Sequence, residues 1–467
     1  MKLPPFLRRV DKSMLYFSGI LLLFLILKVS QLKIKFSDGF TYMYMGKLIL
    51  EGLVPYRDFF FASPPLQPYL LALGELFLGN HILLLKLIPI LSTAGSSYFI
   101  YQFMRKKFGN LQAITSSILF LFSFIILLTT DYSTGIHLTL FFVLGAMYFI
   151  EEDKSLTAGI FGGLALLVRL YALFPLAGAG IYYLIYKKKN LFRFSSGTFL
   201  IFLPVSLIFQ IISNGAYLDQ IFFFRLHLIS GIGLSKWSIL WFFITRDFLL
   251  VGGSLFYLFL DKEKKKLALP LLATALSLVL YTVYSDIYYL YLGLITGFLA
   301  MFTTRFIFLF EDYKNFKKVL ALILILFILI NSFFYVKNYS STANITFTED
   351  LVNFVKDNSL ENQTIYGSFE IAPLISLLSG RELAGDIADT NPKNIMTNTF
   401  SIGDLEDRIK GVRFIIAKGV LLTSGDIAGF GESIPINYLQ KNCNLAKTYP
   451  IEKDFSSNTV FVYICDN

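Results

Sequence analysis

Histidine, cysteine and tryptophan are nearly absent from this chain, with three, two and two copies among 467 residues. The histidines stand far apart, at 81, 137 and 227, and both cysteines lie near the C-terminus, so no spacing of metal ligands can be drawn. Charge is scarce as well. Only 16% of the residues are Asp, Glu, Lys or Arg, against about 25% in an ordinary soluble domain. That shortage excludes a soluble globular fold for most of the chain. Internal repeats and low-complexity segments are also missing.

What the chain has is apolar length, being 55% hydrophobic and 17% aromatic. A membrane-crossing helix needs about 20 mostly apolar residues, and such windows recur from Met14 to Val336. Eleven spans are expected, at about 13–32, 82–104, 111–130, 135–151, 155–169, 171–187, 193–213, 237–260, 267–284, 287–304 and 318–336. The first lacks a small-residue cleavage site and reads as a retained anchor. Basic clusters at Arg8, Arg9 and Lys12, at Arg105 to Lys107, at Lys187 to Lys189 and at Lys262 to Lys266 mark the cytoplasmic side. The loops around 33–81, 131–134, 214–236 and 285–286 then face outward, as does the C-terminus, although Lys33 and Lys35 run against the rule. The N-terminus is expected in the cytoplasm.

From Asn338 the composition changes to ten Lys/Arg against sixteen Asp/Glu, net −6, which leaves +15 for the part before it. The overall +9 therefore reflects cytoplasmic loops near anionic membrane lipids and gives no sign of nucleic acid. Strand-like runs (Thr364–Tyr366, Val412–Ala417, Val460–Ile464) alternate with helical ones (Glu349–Asp357, Ile371–Leu378, Leu405–Ile409). Two domains are expected: a membrane domain, 1–337, and a small extracytoplasmic α/β domain, 338–467. Cys443 and Cys465 either pair in an oxidising exterior or stay as free thiols, and the sequons at Asn338, Asn344 and Asn362 are either used or fortuitous.

The first outer loop, from "FSDGFTYMYMGKLILEGLVPYRDFFFASPPLQPYLLALGELF", is too apolar for a solvated loop and too broken to span. Helical spacing places Asp38, Tyr42, Met45 and Ile49 on one face, and Pro68 to Phe77 forms a second helix opened by prolines. Both are expected to lie in the membrane interface. Between them, Arg57, Asp58 and Gln67 face the outer side, where Arg57 and Asp58 either pair with each other or line a cavity. Asp38 has two open roles: an N-cap carboxylate, or a general base at the membrane surface.

The pattern D-x-x-x-Y, G-x-x-P-Y-R-D-F and P-P-L-x-x-Y-L resembles the first outer loop of the GT-C integral-membrane glycosyltransferases, and within them the dolichyl-phosphate-mannose-protein-mannosyltransferase-like group. The resemblance implies a GT-C-like polytopic α-helical fold, and it implies that Asp38 is the catalytic acid/base. Two positions depart from the family. Gly39 stands where a second acidic residue is common, and Ser63 stands where some relatives carry a basic residue on the donor phosphate. The phosphate then needs another clamp, and Arg57, Arg169 and the Arg225/His227 pair are the outward-side candidates. Arg169 is equally readable as a snorkelling helix-end arginine, and His227 as a polar interface residue. Asp131 and His137 flank the outer turn between spans three and four, where relatives often hold another acidic residue. Tyr288 and Tyr289, in "SDIYYLYL", match an aromatic pair of the family or form part of an aromatic belt.

The reaction so implied moves a sugar from a polyprenyl- or dolichyl-phosphate donor to a hydroxyl of a lipid, glycan or protein acceptor on the outer face, with inversion. It requires no cofactor, and a divalent metal stays open. Only Trp237 and Trp241 are present, so the tryptophan-rich signature of the oligosaccharyltransferases is missing. A transporter or flippase of lipid-linked or polar solutes is the alternative; intramembrane charge pairs and broken helices in two matching halves would favour it.

Overall fold

The structure is a computed structural model, and it describes residues 11–34, 37–79, 82–224, 235–284, 288–340, 347–391, 394, 397, 399, 401–421, 427–428, 434–450 and 458–466. Helix α1 (Lys12–Ser30) is opened by Asp11, whose carboxylate accepts from the Ser13 amide at 3.0 Å. Helix α2 (Gly39–Leu50) and helix α3 (Leu66–Leu78) follow as the two short helices of the first loop. Next come the helices Leu87–Phe108, Asn110–Leu121, Phe124–Thr129, Ile136–Glu151, Ser155–Val168, Leu173–Tyr186 and Lys188–Ile212. Five more run from Lys236–Arg246 through Phe248–Leu260, Ala268–Val283 and Gly293–Phe308 to Phe316–Phe334. The protein is a multi-pass membrane protein.

Among the described residues, eleven unbroken spans do not appear. Among the described residues, five helical stretches are long and apolar enough to cross a membrane: Lys12–Ser30, Lys188–Ile212, Lys264–Thr282, Tyr289–Phe308 and Phe316–Lys337. The eighth expected span is two helices, Lys236–Arg246 and Phe248–Leu260, bent by 91°. The break has a physical reason. At the bend the Asp247 carboxylate accepts from the amides of Phe124 (2.8 Å) and Ile125 (2.9 Å), so it caps a second broken helix, Phe124–Thr129, together with Ser123. Irregular backbone is tolerated at such depth only where side chains satisfy it, and Asp247 is buried.

Small residues set the closest helix crossing. A Cβ at Gly159 would lie 2.1 Å from the Phe194 carbonyl, so only glycine lets Ser155–Val168 meet Lys188–Ile212 backbone to backbone. At the end of the bundle that carries the basic loops, Arg105 pairs with Asp11, Lys106 with Glu152, Lys107 with Glu151, Lys187 with Asp153, and Arg305 with Asp261 and Glu263.

Beyond Phe334 the chain builds a sheet in the order β1-β2-β5-β4, with β3 paired to the end of β2 at Val420 and Leu421, on the edge that β1 uses. Its strands are β1 (Ile365–Gly367), β2 (Phe414–Leu421), β3 (Ile427–Ala428), β4 (Cys443–Pro450) and β5 (Asn458–Cys465). Among the described strands, only β1 and β2 run parallel. Cys443 and Cys465 face each other across β4 and β5 and form a disulfide. Strand β4 was not expected from the sequence, because its faces alternate poorly and most of its side chains are exposed or half-buried. Asn362 lies exposed in a turn, whereas Asn344 falls outside the described residues.

This C-terminal sheet rests on α2. The Thr41 hydroxyl donates to the Phe369 carbonyl (3.0 Å) and the Leu383 amide donates to the Tyr44 hydroxyl (3.0 Å). Phe40, Tyr44 and Leu48 of α2 share one apolar core with Leu351, Ile371, Leu374 and Phe414. Helix α2 is therefore held on one side by the C-terminal sheet and on another by α3, where a Cβ at Gly46 would lie 3.0 Å from the Ala72 amide.

Candidate functional site

Asp38 stands at the N-cap position of α2, yet its side chain makes no capping bond. The Gly39 amide donates instead to the Ser37 hydroxyl at 3.2 Å. The simpler of the two roles open to Asp38 is thus filled by its neighbour. The residue is half-buried, and Gly39 beside it packs on the turn at residues 131–135: a Cβ there would come within 3.3 Å of the Ser133 amide.

Around that turn, three chain segments close on one another. The helix Ser155–Val168 stops at Arg169, whose extended backbone turns its side chain out of helical register. Arg169 is buried, so it does not snorkel. Its Nε donates to the Thr134 carbonyl at 2.8 Å, a terminal nitrogen donates to the same oxygen, and the other donates to the Ser63 hydroxyl. Its guanidinium lies 4.9 Å from the Tyr42 ring centre. Tyr42 is one helical turn beyond Asp38, so Arg169 sits on the Asp38 face of α2. The Gln67 amide donates to the Ser133 carbonyl at 3.1 Å, and a Cβ at Gly135, whose φ is +83°, would meet Gln67 Oε1 and Arg169 Nε at 3.3 and 3.4 Å. Of the expected site residues, Asp38, Tyr42, Gln67 and Arg169 come together here, joined by Ser63.

Arg57 and Asp58 form a bidentate pair at 2.8 and 2.7 Å, and Asp58 also accepts from the Val54 amide at 2.7 Å. Arg57 is 47% exposed, and the ion pair holds the Asp58 carboxyl below its ordinary range. This is a turn-closing pair. Gln220 fixes the same loop from a distance, accepting from the Phe61 amide (2.9 Å) and donating to the Tyr56 carbonyl (3.1 Å), while the Tyr56 hydroxyl donates to the Ser63 carbonyl (2.6 Å). Nothing local in the sequence marks Gln220.

Asp131 and His137 go elsewhere. Asp131 is fully buried and pairs with Lys28 of α1 at 3.2 Å, and the Lys28 ammonium also donates to the Leu127 carbonyl (2.7 Å) and the Tyr335 hydroxyl (2.8 Å). His137 is held between the hydroxyls of Thr93 (3.0 Å) and Thr129 (2.9 Å). Both residues anchor the outer turn from within the bundle. Lys28 did carry a signal, being a lone charge in an apolar span. Tyr289 packs on Phe242, with ring centres 6.2 Å apart, and Tyr288 precedes the short helix Tyr289–Leu292. Arg225 and His227 lie outside the described residues.

A family model described as dolichyl-phosphate-mannose-protein mannosyltransferase matches residues 62–213, which hold Ser63, Gln67, the outer turn and Arg169. Among solved structures, ArnT from Cupriavidus metallidurans bound to undecaprenyl phosphate is similar at TM-score 0.69 and 10% identity, covering 96% of this chain and 97% of that one. The oligosaccharyltransferase of Archaeoglobus fulgidus is similar at 0.56 and 11% identity, over 97% of this chain and 74% of that one. The arabinofuranosyltransferase AftD from Mycobacteria is similar at 0.56 and 12% identity, over 97% and 40%. No curated protein matches the chain. The chain is thus similar to the mannosyltransferase family over residues 62–213, within a fold like that of ArnT that runs through nearly its whole length.

Proposed function

We propose that the protein transfers a sugar from a polyprenyl- or dolichyl-phosphate donor to an acceptor hydroxyl on the outer face of the membrane. The observation that carries this reading is the convergence of the Asp38 end of α2, the Ser63 loop and Arg169 on one turn. Asp38 takes the proton of the acceptor hydroxyl as it attacks the anomeric carbon; a half-buried carboxylate held at a helix end is suited to that task. Attack comes from the face opposite the phosphate, so the anomeric configuration inverts. Arg169 supplies fixed positive charge for the departing phosphate, already oriented by Thr134 and Ser63 and needing little rearrangement. The binding of undecaprenyl phosphate by ArnT supports a lipid-phosphate donor here. The lipid tail lies among the helices, and the C-terminal sheet domain, resting on α2, covers the sugar and selects the acceptor.

The test is transfer by the protein reconstituted in liposomes with undecaprenyl-phosphate-linked sugars and a mixed panel of lipid, glycan and peptide acceptors. Sugar transfer with inverted configuration, lost by roughly 10³-fold or more in Asp38→Asn while donor binding persists, is the expected result. Full activity in that variant removes Asp38 as the base, and a wild type inactive on every donor removes the reading.

A further inference from the structure

Three buried oxygens beside Arg169 have no hydrogen-bond partner: Gln67 Oε1, Ser133 Oγ and Thr134 Oγ1. Their residues are only 2, 1 and 4% exposed. Folded proteins leave few such atoms, because each forfeits its hydration without recompense. Of the eleven among the described residues, these three share one place. The backbone around them is already satisfied, since the Ser133 and Thr134 carbonyls accept from Gln67 and Arg169. With its nitrogen committed to Ser133, the Gln67 amide turns its oxygen toward Gly135, beside the Arg169 guanidinium.

We propose that these three oxygens bind the hydroxyl groups of a sugar ring. The inference rests on the glycosyl-transfer reading and names the subsite that reads the sugar itself. An amide oxygen needs an O–H or N–H donor, which an ionised phosphate and a lipid tail both lack. Ser133 and Thr134 both donate and accept, as do ring hydroxyls, so the set matches a polyol better than an anion. The phosphate is left to the guanidinium. In this arrangement the oxygens are shielded from water, so a ring reaches them only by displacing the packing around residues 133–135. The ring belongs either to the donor or to a glycan acceptor, and both carry the same hydroxyl chemistry.

The experiment uses the full-length protein in lipid nanodiscs and three sets of probes: undecaprenyl phosphate alone, the same lipid carrying mannose, glucose or arabinose, and the free methyl glycosides of those sugars. The wild type is expected to bind at least one sugar-bearing lipid more tightly than the bare lipid, or one methyl glycoside measurably. The double variant Ser133→Ala/Thr134→Val should weaken that binding by roughly tenfold for each hydroxyl lost, with bare undecaprenyl phosphate unaffected. Loss on the sugar-bearing lipids assigns the donor ring, and loss on the methyl glycosides assigns the acceptor ring. If that variant does not fold, Gln67→Leu is read in the same way. Sugar binding retained in the variant overturns the subsite and leaves glycosyl transfer standing, as does an equal loss for the bare lipid. A wild type without any sugar preference also overturns it, and the transfer reading falls with it only if the liposome assay is blank as well.

Discussion

Arg169 and Ser63, 106 residues apart in the chain, are hydrogen-bonded to each other. Ser63 lies directly before the double proline, and the guanidinium arrives there from the end of another helix, so fixed positive charge reaches this loop from a different segment. Arg169→Lys keeps that charge but loses the planar fork that reaches both the Thr134 carbonyl and Ser63. We expect it to lower undecaprenyl phosphate affinity at least about tenfold, with Ser63→Ala milder because one acceptor of several is lost. Titration calorimetry in nanodiscs checks both, and unchanged affinity in Arg169→Lys would exclude a clamp.

Lys28 and Asp131 form a buried pair inside the bundle, so removing one partner leaves the other charge uncompensated. Lys28→Met or Asp131→Asn alone is expected to destabilise by about 3–5 kcal/mol, and the double variant by clearly less than the sum. Thermal unfolding in detergent measures this cycle. Additive effects would mean that the two side chains act independently.

Glu75 on α3 is buried against α2, and neither carboxylate oxygen has a hydrogen-bond partner. Burial pushes its carboxyl up to about 8, with Lys47 opposing and Glu51 adding to the shift. A carboxyl raised above its unfolded value binds more protons in the folded state, so stability falls as pH rises from about 4.5 toward 8. Glu75→Gln should therefore raise the Tm relative to wild type at pH 8.5 and change it little at pH 4. A Tm difference independent of pH would contradict the assignment.

Gln220 clasps the loop that ends at Ser63 by bonding both Phe61 and Tyr56. Gln220→Ala is expected to raise the donor KM about three- to tenfold through loop disorder, with kcat less affected, since each lost bond is worth on the order of 1 kcal/mol. A selective fall in kcat would place Gln220 closer to the chemistry than the loop geometry does.

The bundle was legible because apolar length and the positions of the basic clusters are local properties of the chain. Helix ends near Ser30, Leu78, Phe108 and Ile212 lie within a few residues of those read from hydropathy. The bend at Arg246–Asp247 was not legible, since hydropathy averages over a window and the carboxylate that permits the break finds its amides 122 and 123 residues away. Likewise α2 and α3 were readable from spacing and prolines, whereas strand β4 lacks the alternation that would reveal it.

The site divides along the same line. By itself the sequence determined the membrane class of the protein and the two short helices of the first loop, because these follow from composition and short motifs. Which buried groups meet was decided only by the tertiary structure: Asp131 goes to Lys28, and Arg169 to Ser63 and Thr134. A charge taken out of water takes whichever partner the packing of distant helices brings within about 3 Å, and residue spacing along the chain carries no record of that choice.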